Sequence, residues 1–315
     1  MTSPVSILRA LADPTRLRIF LLARELELAV GELALVLAQS QPRVSRHLKI
    51  LTDAALIDRA KEGAWVFVRL AAGRHVAAAI ALVDACDAST TADLDRLAAV
   101  RAERAAAAAT YFATHAAEWD SIRALHVAEH DVETAVTDLL GTAALGRLID
   151  IGTGTGRMIE LLGPRAVAAV GFDCSPEMLR LARGRIEAAG MKHAEVRHGD
   201  MYALPGIDAS VDTAVLHQVL HFADRPTHVI GQIARLLAPG GRLLIVDFAA
   251  HDREEFRTRH AHVRLGFDDA QIDGWMQDAG LELTCICRLA PDDASGLTVT
   301  LWLGERQRQA ARQAA

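Results

Sequence analysis

One stretch of the chain, LIDIGTGTGRMI at residues 148–159, restricts the possible folds more than any other. An apolar run ends in Asp150, glycines follow at positions 152, 154 and 156, and an amphipathic segment then begins. Glycine lets a loop adopt positive φ and lets a ligand approach the bare backbone, and the first N–H groups of a following helix are free to bind it. The pattern predicts a strand, a tight loop and a helix, with a small-molecule site at the loop.

The spacing of these glycines narrows the choice of ligand. The dinucleotide fingerprint G-x-G-x-x-G requires a glycine at position 157, where this chain has Arg157. The spacing D-x-G-x-G-x-G instead resembles motif I of the class I methyltransferases that depend on S-adenosylmethionine (SAM). In that family the loop accommodates the methionine end of SAM. The alternative is an ordinary strand-to-helix turn, so the neighbouring segments decide between the two.

The segments that follow alternate between strand and helix patterns, which predicts a parallel sheet covered by helices. The predicted strands are RLIDI, AVAAVGF, AEVRH, VDTAVLH and GRLLIVDF, and the predicted helices are RMIELLG, PEMLRLARGRIEAAG and THVIGQIARLLA. Two last strands, LELTCICRL and LTVTLWLGE, are joined by PDDASG and predict an antiparallel hairpin at the sheet edge. Such a hairpin is characteristic of the class I methyltransferase sheet.

Ligands of these sheets bind at the carboxyl ends of the strands. Asp173 ends the second strand, where it can accept hydrogen bonds from both ribose hydroxyls, and Asp200 with Met201 resembles the family's adenine clamp. His217 follows the fourth strand, where the family places residues near the transferred methyl group. The residues predicted to bind SAM or S-adenosylhomocysteine (SAH) are Asp150, Gly152, Gly154, Gly156, Asp173, Cys174, Asp200, Met201 and His217.

Methyl transfer requires alignment above all, and a base only where the acceptor must lose a proton. His217 and His221 are the catalytic candidates, and a structural role is the alternative for each. The stretch HDREEFRTRHAHVRLGF, which contributes further histidines, could wall off an acceptor pocket. Arsenite methylation is disfavoured, because it needs several thiols near the methyl group and only Cys174 is expected there.

The first 72 residues predict a different module. Helix patterns over residues 6–12, 14–25 and 30–38 precede a helix that opens at Gln41-Pro42, and alternation around Glu62-Gly63 predicts a β-hairpin. This order is a winged helix-turn-helix. The blocks LADPTRLRIF, VGELA, SQPRVSRHLKIL and EGAWVFVRL closely resemble the ArsR/SmtB family of winged-helix regulators. That resemblance implies operator DNA as partner, a homodimer, and a recognition helix in the major groove.

Charge supports a nucleic-acid contact at this end, because residues 1–72 carry a net charge of +3 and the remainder carries −9. Val44, Leu48 and Leu51 are expected in the core, and for His47 both a DNA contact and packing remain open. Arg59 is expected to meet phosphate. The predicted DNA-binding residues are Gln41, Arg43, Ser45, Arg46, His47, Lys49 and Lys61.

We predict a winged-helix DNA-binding and dimerisation domain over residues 1–88, a helical connector over 89–139, and a SAM/SAH-binding methyltransferase-like domain over 140–315. The connector pattern predicts a helix at 74–87 and another over 122–140. It also predicts a helix over DLDRLAAVRAERAAAAATYFATHA, with Leu94, Leu97 and Val100 on one side and arginines on the other. His126, Glu129, His130 and Glu133 have a spacing that could hold a metal, but a solvated helix face is favoured. We predict no metal; the thiol pair of metal-sensing family members is replaced by Ala29 and Gly31 in the corresponding stretch.

The chain has four cysteines, with no basic-apolar leader and no apolar run near eighteen residues. We therefore expect a cytoplasmic protein that does not enter a membrane. Cys285 and Cys287 are expected to be small core residues on one face of a strand.

Together these patterns predict the α/β class, with an N-terminal winged helix-turn-helix and a C-terminal class I SAM-methyltransferase domain, Rossmann-like and seven-stranded. Two functions remain open. The first is an ArsR-family transcriptional regulator whose methyltransferase-fold domain binds SAM or SAH as effector and controls methionine- and SAM-cycle genes. The second is an active methyltransferase of an unknown small molecule, whose winged helix serves in regulation or dimerisation.

Overall fold

The computed structural model describes residues 3–86, 91–123, 126–291 and 296–307. The chain divides into two compact units, Met1–Ala107 and Ala108–Ala315. The division lies inside a long helix, Thr91–His115, and within the segment 89–139 that the sequence predicts as a connector.

The first unit is a helix-turn-helix with a small sheet. Ser3 and Asp13 cap its first two helices by accepting backbone N–H bonds, and each of these helices has proline in its first turn. Its helices are α1 (Pro4–Leu11), α2 (Pro14–Glu25), α3 (Val30–Leu37), α4 (Gln41–Asp53), α5 (Arg74–Asp84) and the first part of α6 (Thr91–His115).

The sheet of this unit contains strands β1 (Leu28–Ala29), β2 (Ile57–Glu62) and β3 (Trp65–Leu70), in the antiparallel order β1-β3-β2. Glu62 pairs with Trp65, so the turn of the wing is Gly63-Ala64, one residue later than predicted. Strand β1 has only two residues and leaves no periodic pattern, which is why the sequence did not reveal it.

The core of the unit matches the predicted helix faces in part. Val44, Leu48 and Leu51 are fully buried, as predicted for α4. On the predicted apolar face of α6, Leu97 is buried and Val100 packs on the core, whereas Leu94 is 45% exposed. Helix α5 ends at Asp84, and Ala85 and Cys86 of its predicted span form a turn instead. Asp87 lies outside the described residues, as do Ser89 and Thr90.

The arginines of α6 contact the winged helix, whereas the sequence assigned them to the face opposite the buried leucines. Asp93, whose side chain is 3% exposed, accepts from Arg18 at 2.6 Å and from Arg96 at 2.7 Å. Arg104 forms a two-nitrogen ion pair with Glu32, the residue whose carboxylate also accepts the Ala29 N–H at the start of α3. These buried ion pairs fix the first part of α6 against α2 and α3.

The second unit is an open α/β sheet. Its strands are β4 (Gly146–Ile151), β5 (Ala166–Asp173), β6 (Ala194–His198), β7 (Val211–His217), β8 (Leu237–Phe248), β9 (Leu281–Leu289) and β10 (Val299–Arg306). Its helices, after the end of α6, are α7 (Trp119–Arg123), α8 (Glu129–Leu140), α9 (Arg157–Leu162), α10 (Pro176–Ala188), α11 (Pro226–Leu236), α12 (Glu255–Arg259) and α13 (Asp269–Asp278).

The strand order β6-β5-β4-β7-β8-β10-β9 confirms the predicted fold class. The first five strands in this order are parallel, and β10 pairs antiparallel with β8 and β9, so the terminal hairpin lies at the sheet edge. Residues 292–295 of the predicted PDDASG turn lie outside the described residues. Successive strand residues enter opposite cores, as Leu148 and Ile149 do, so both faces of the sheet are covered by helices.

Two predictions for this unit are wrong. The helix predicted over 122–140 is broken, because α7 ends at Arg123 and the next described residues, 126–128, are not helical. There the His126 ring packs on Phe248 and Phe256. Cys285 is exposed, and Cys287 is only partly buried, since β9 is an edge strand.

Candidate cofactor and DNA-binding sites

The glycine loop between β4 and α9 depends on glycine at each position. Gly152, Gly154 and Gly156 have φ of +67°, +53° and +82°, values that strain residues with a Cβ. A Cβ on Gly152 would also overlap Val219, and one on Gly156 would lie 3.0 Å from the Cβ of Ala182 in α10. The loop can therefore pack closely on its neighbours and present bare backbone.

Asp150 ends β4 beneath this loop and is only 1% exposed. Thr153 Oγ1 donates to its Oδ2 at 2.6 Å, while its Oδ1 is buried with no hydrogen-bond partner in the described structure. Burial, together with the nearby charge of Asp173, raises the pKa of Asp150 to about 7. An unsatisfied buried carboxylate oxygen is an acceptor for a ligand donor such as an ammonium group.

Asp173 ends β5 and is bonded directly to the loop. Its Oδ2 accepts the N–H of Gly154 and its Oδ1 accepts the N–H of Ser175, both at 2.8 Å. Burial raises the pKa of this carboxyl group. Each oxygen has a second lone pair, so the side chain is held in place and can still accept from a ligand hydroxyl.

The remaining predicted cofactor residues lie at the same end of the sheet. Gly199 donates its N–H to the Asp173 carbonyl at 3.0 Å, which brings the adjacent Asp200 beside β5. Asp200 is exposed and accepts the Tyr202 N–H at 2.8 Å, and Met201 packs on the hydrophobic core. Cys174 is exposed directly after Asp173.

His217 and His221, the two catalytic candidates, have different surroundings. His217 ends β7 and is buried with an unpartnered Nε2; burial lowers its pKa well below the usual value, so the ring is neutral. His221 lies in the 3₁₀ turn Leu220–Phe222, and its Nδ1 is 2.7 Å from Asp247 Oδ1. Asp247, fully buried in β8, is held by the N–H of Phe248 at 2.8 Å.

Sequence reasoning missed two residues that contact the glycine loop. A Cβ on Gly154 would lie 3.4 Å from Trp119 Nε1, so the indole faces the loop. Asp120 accepts from Thr155 Oγ1 at 2.7 Å and from Arg185 at 2.5 Å. In the sequence, the signal for these residues is the pair Trp119-Asp120, and such a pair by itself does not predict a ligand site.

A cavity of about 260 Å³ lies next to this loop within the second unit. Trp119 lines it as well as facing Gly154, and His221 lines it from the 3₁₀ turn. The other lining residues are Tyr111, Ile122, Arg123, His126, Gln218, Phe222, Phe248, Arg253, Glu255, Phe256, Arg259, His260 and His262.

Bare backbone at Gly154, the unsatisfied Asp150 oxygen and the fixed Asp173 carboxylate fit the SAM that the sequence predicts. These residues would hold its methionine and ribose parts, and SAM supplies an electrophilic methyl group when bound. In the described part of the chain, no cluster of three or more His, Cys, Asp or Glu side chains could hold a metal ion.

The predicted DNA-contacting residues lie mostly on the outer surface of the first unit. On α4, Gln41, Arg43, Arg46 and Lys49 are exposed, and Ser45 is half-buried. Lys49 is paired with Asp53 at 3.0 Å.

His47 instead faces α2, where its Nδ1 lies 3.7 Å from Asp13 Oδ1. Arg59 and Lys61 are exposed on β2 of the wing. The described helices include none with the length and apolar character needed to span a bilayer.

Known proteins match the two units separately. Residues 13–59 match the profile described as bacterial regulatory protein, arsR family, and residues 149–245 match a methyltransferase domain. The arsenical resistance operon repressor of Escherichia coli is 48% identical over 68 residues, which cover 21% of this chain and 58% of the repressor. The demethylmenaquinone methyltransferase of Thermus thermophilus is 40% identical over 116 residues, which cover 35% of this chain and 51% of that enzyme.

The chain spans about half the length of these curated relatives. Among solved structures, one from the complex of the Haloferax volcanii Trm112 methyltransferase activator with a methyltransferase has a TM-score of 0.55 and 21% identity. It covers 64% of this chain and 99% of that chain. A methyltransferase structure from Bacillus halodurans has a TM-score of 0.50 and 17% identity, covering 57% and 100%. Both likenesses concern the fold alone, whereas the sequence matches show that residues 13–59 are similar to arsR-family regulatory proteins and residues 149–245 to methyltransferase domains.

Proposed function

We propose that the chain is a cytoplasmic, homodimeric transcriptional regulator that binds operator DNA through α4 and the wing, with SAM or SAH as its effector. The observation that carries this proposal is the exposed polar face of α4. Arg43 and Arg46 are exposed and make no ion pair within the described structure, while Val44, Leu48 and Leu51 of the same helix are fully buried. A helix held by its apolar face with guanidinium groups outward is suited to base edges and phosphates.

The effector half of the proposal rests on the loop at the end of β4. The unsatisfied Asp150 oxygen and the Asp173 carboxylate offer acceptors for the amino and hydroxyl groups of SAM or SAH, and the glycines leave room for the ligand. Because α6 is ion-paired to α2 and α3 through Asp93 and Arg104, its continuation beyond residue 107 is a route by which ligand binding could change DNA affinity. We propose methionine- and SAM-cycle genes as the targets. In this proposal residues 1–88 bind DNA and dimerise, residues 89–139 form a helical connector, and residues 140–315 bind SAM or SAH.

The test is binding of the full chain to labelled DNA from upstream of its own gene, with and without micromolar SAM or SAH, at a stated salt concentration. We expect either ligand to shift the dissociation constant. Equal affinity for DNA in the free and liganded states would rule out the effector role, because a ligand moves an equilibrium only by its differential affinity.

Two variants separate the halves of the proposal. Arg43→Ala with Arg46→Ala should weaken DNA binding and lower the salt slope by about 0.9 for each lost phosphate contact. Arg74→Ala, an exposed arginine at the start of α5, is the matched control. Asp173→Asn should lose the response to SAM and SAH while DNA binding by the free protein persists.

A further inference from the structure

The cavity beside the glycine loop has the walls of a site for a small aromatic molecule. Tyr111, Trp119, Phe222, Phe248 and Phe256 line it, and aromatic rings prefer to pack on other rings at offset or edge-to-face angles. Its volume is about 260 Å³, and an apolar cavity of about 150 Å³ is large enough for benzene. A single substituted ring therefore fits.

One wall of this cavity carries a histidine prepared to take a proton. His221 Nδ1 lies 2.7 Å from Asp247 Oδ1, and because both oxygens of this carboxyl group already accept backbone N–H groups, we assign the hydrogen of the contact to Nδ1. Nε2 is then the basic nitrogen, on a ring that lines the cavity. The carboxylate is itself fixed by backbone N–H groups of Phe248 and His221, so the imidazole is held in one orientation.

Burial disfavours the protonated form of the other histidines that line the cavity. It lowers the pKa of His126 to about 4, lowers that of His260, and lowers that of His262 well below the usual value. These rings remain neutral at physiological pH and do not compete for a ligand proton. His221 is the cavity histidine that is also hydrogen-bonded to a carboxylate in the described structure.

Most of the charge around the cavity is paired. Arg123 pairs with Asp120 and Glu129, and Arg253 pairs with Glu255 at 2.7 Å, while Arg259 is the third arginine of the lining. Cysteine does not occur among the lining residues, so a metalloid or thiol-exchange ligand is not favoured.

We propose that this cavity binds a small hydroxylated aromatic molecule and that Nε2 of His221, oriented by Asp247, accepts the proton of its hydroxyl group. The resulting aryl oxide is stabilised by the adjacent imidazolium. This step needs no cofactor, since the O–H bond breaks, its electron pair stays on oxygen and the proton moves to nitrogen.

The inference also deepens the proposed function, on which its last step rests. Trp119 lines the cavity and faces the Gly154 loop, where an added Cβ would lie 3.4 Å from its Nε1, so a ring in the cavity adjoins the proposed SAM site. SAM held by the glycine loop and Asp173 would supply an electrophilic methyl group to the aryl oxygen, with the methyl–sulfur bond replaced by an oxygen–methyl bond and its electron pair left on sulfur. The products would be an aryl methyl ether and SAH, and His221 would return its proton to solvent.

The decisive test uses 4-nitrophenol with the full chain and no added SAM. At a pH below the pKa of the probe in water, we expect binding to quench Trp119 fluorescence and to raise the absorbance band of the phenolate. The methyl ether 4-nitroanisole should also quench, but it cannot ionise. His221→Gln and His221→Asn should keep the quenching and lose most of the phenolate band, and Asp247→Asn should reduce the band. His130→Gln, which replaces an exposed histidine on α8, is the control and should change neither signal.

Absence of quenching in the unmodified chain would overturn the proposed site, and quenching without a phenolate band would overturn the role of His221. A band that persists undiminished in a folded His221 variant would do the same. Calorimetry with SAM on the same samples keeps the two proposals apart. Failure to bind SAM, with the phenolate band intact, would count against the effector proposal and the methyl-transfer step but not against the phenol site.

Discussion

Gly154→Ala tests the glycine loop as the ligand site. At Gly154 φ is +53°, and a Cβ there would meet Trp119 Nε1 at 3.4 Å, an ordinary contact distance. The substitution should therefore be tolerated by the free protein, apart from the strain of a positive φ, about 1–2 kcal/mol. In the complex the added methyl lies on backbone that the ligand approaches.

A control variant separates the backbone strain of the added methyl group from its effect on ligand binding. Gly190, at the end of α10, has φ of +64° and open space around its Cβ position, so Gly190→Ala carries the same strain away from the site. Both variants should lose about 1–2 kcal/mol of unfolding free energy. Only Gly154→Ala should lose affinity for SAM and SAH, by about 1–3 kcal/mol of overpacking, or roughly 5- to 150-fold.

Gly152→Ala should be the least stable of the three variants. Its Cβ would overlap the branched side chain of Val219, so this variant should be less stable than the other two by about 1–3 kcal/mol. Unfolding is followed by circular dichroism in urea, and binding by isothermal calorimetry. If Gly154→Ala bound SAM and SAH like the unmodified chain, the reasoning would be refuted and the ligand would lie elsewhere.

Two further predictions concern buried charges. Asp93→Ala should lower the free energy of unfolding by about 2–3 kcal/mol, less than the roughly 3–5 kcal/mol lost when a fully buried ion pair is broken. The loss is smaller because the side chains of Arg18 and Arg96 are 25% and 41% exposed and can be rehydrated. Urea unfolding measures it, with Asp95→Ala, an exposed neighbour on α6, as the control. The pKa of Asp150 is raised to about 7 from 3.8, so the folded chain takes up this proton more readily than the unfolded chain. Its contribution to stability is therefore fully present below pH 3.8 and is lost as pH rises to about 7. Asp150→Asn should gain stability relative to the unmodified chain as pH rises through this window, and a pH-independent difference in unfolding free energy would contradict the assignment.

Much of the fold could be predicted from the sequence because local periodicity reports burial directly. Val44, Leu48 and Leu51 recur at helical spacing, and they are the residues that α4 buries. The strand-and-helix alternation after residue 147 fixed the class of sheet, since a parallel strand must be reached through a crossover. The glycine spacing and the carboxylates at strand ends, Asp150 and Asp173, also follow from the chain alone.

Other features depended on residues far apart in sequence. The sequence placed the α6 arginines opposite the buried leucines, whereas Arg104 pairs with Glu32 and Asp93 is buried between Arg18 and Arg96. A charged side chain loses its solvation only when a partner from another element replaces water, and the pattern of one helix cannot show that partner. For the same reason the edge position of β9 leaves Cys285 exposed despite its apolar neighbours.

The functional consequence is clearest at the histidines. From the sequence, His217 and His221 were equivalent candidates near the end of one strand. Tertiary structure separates them, because the chain brings Asp247 of β8 to His221 and leaves Nε2 of His217 buried with no hydrogen-bond partner among the described residues. The sequence by itself determined the glycine loop and the outer face of α4, whose properties depend on neighbouring residues. Only the fold decided which histidine is oriented to accept a proton, because a ring's basicity depends on the groups that surround it in space.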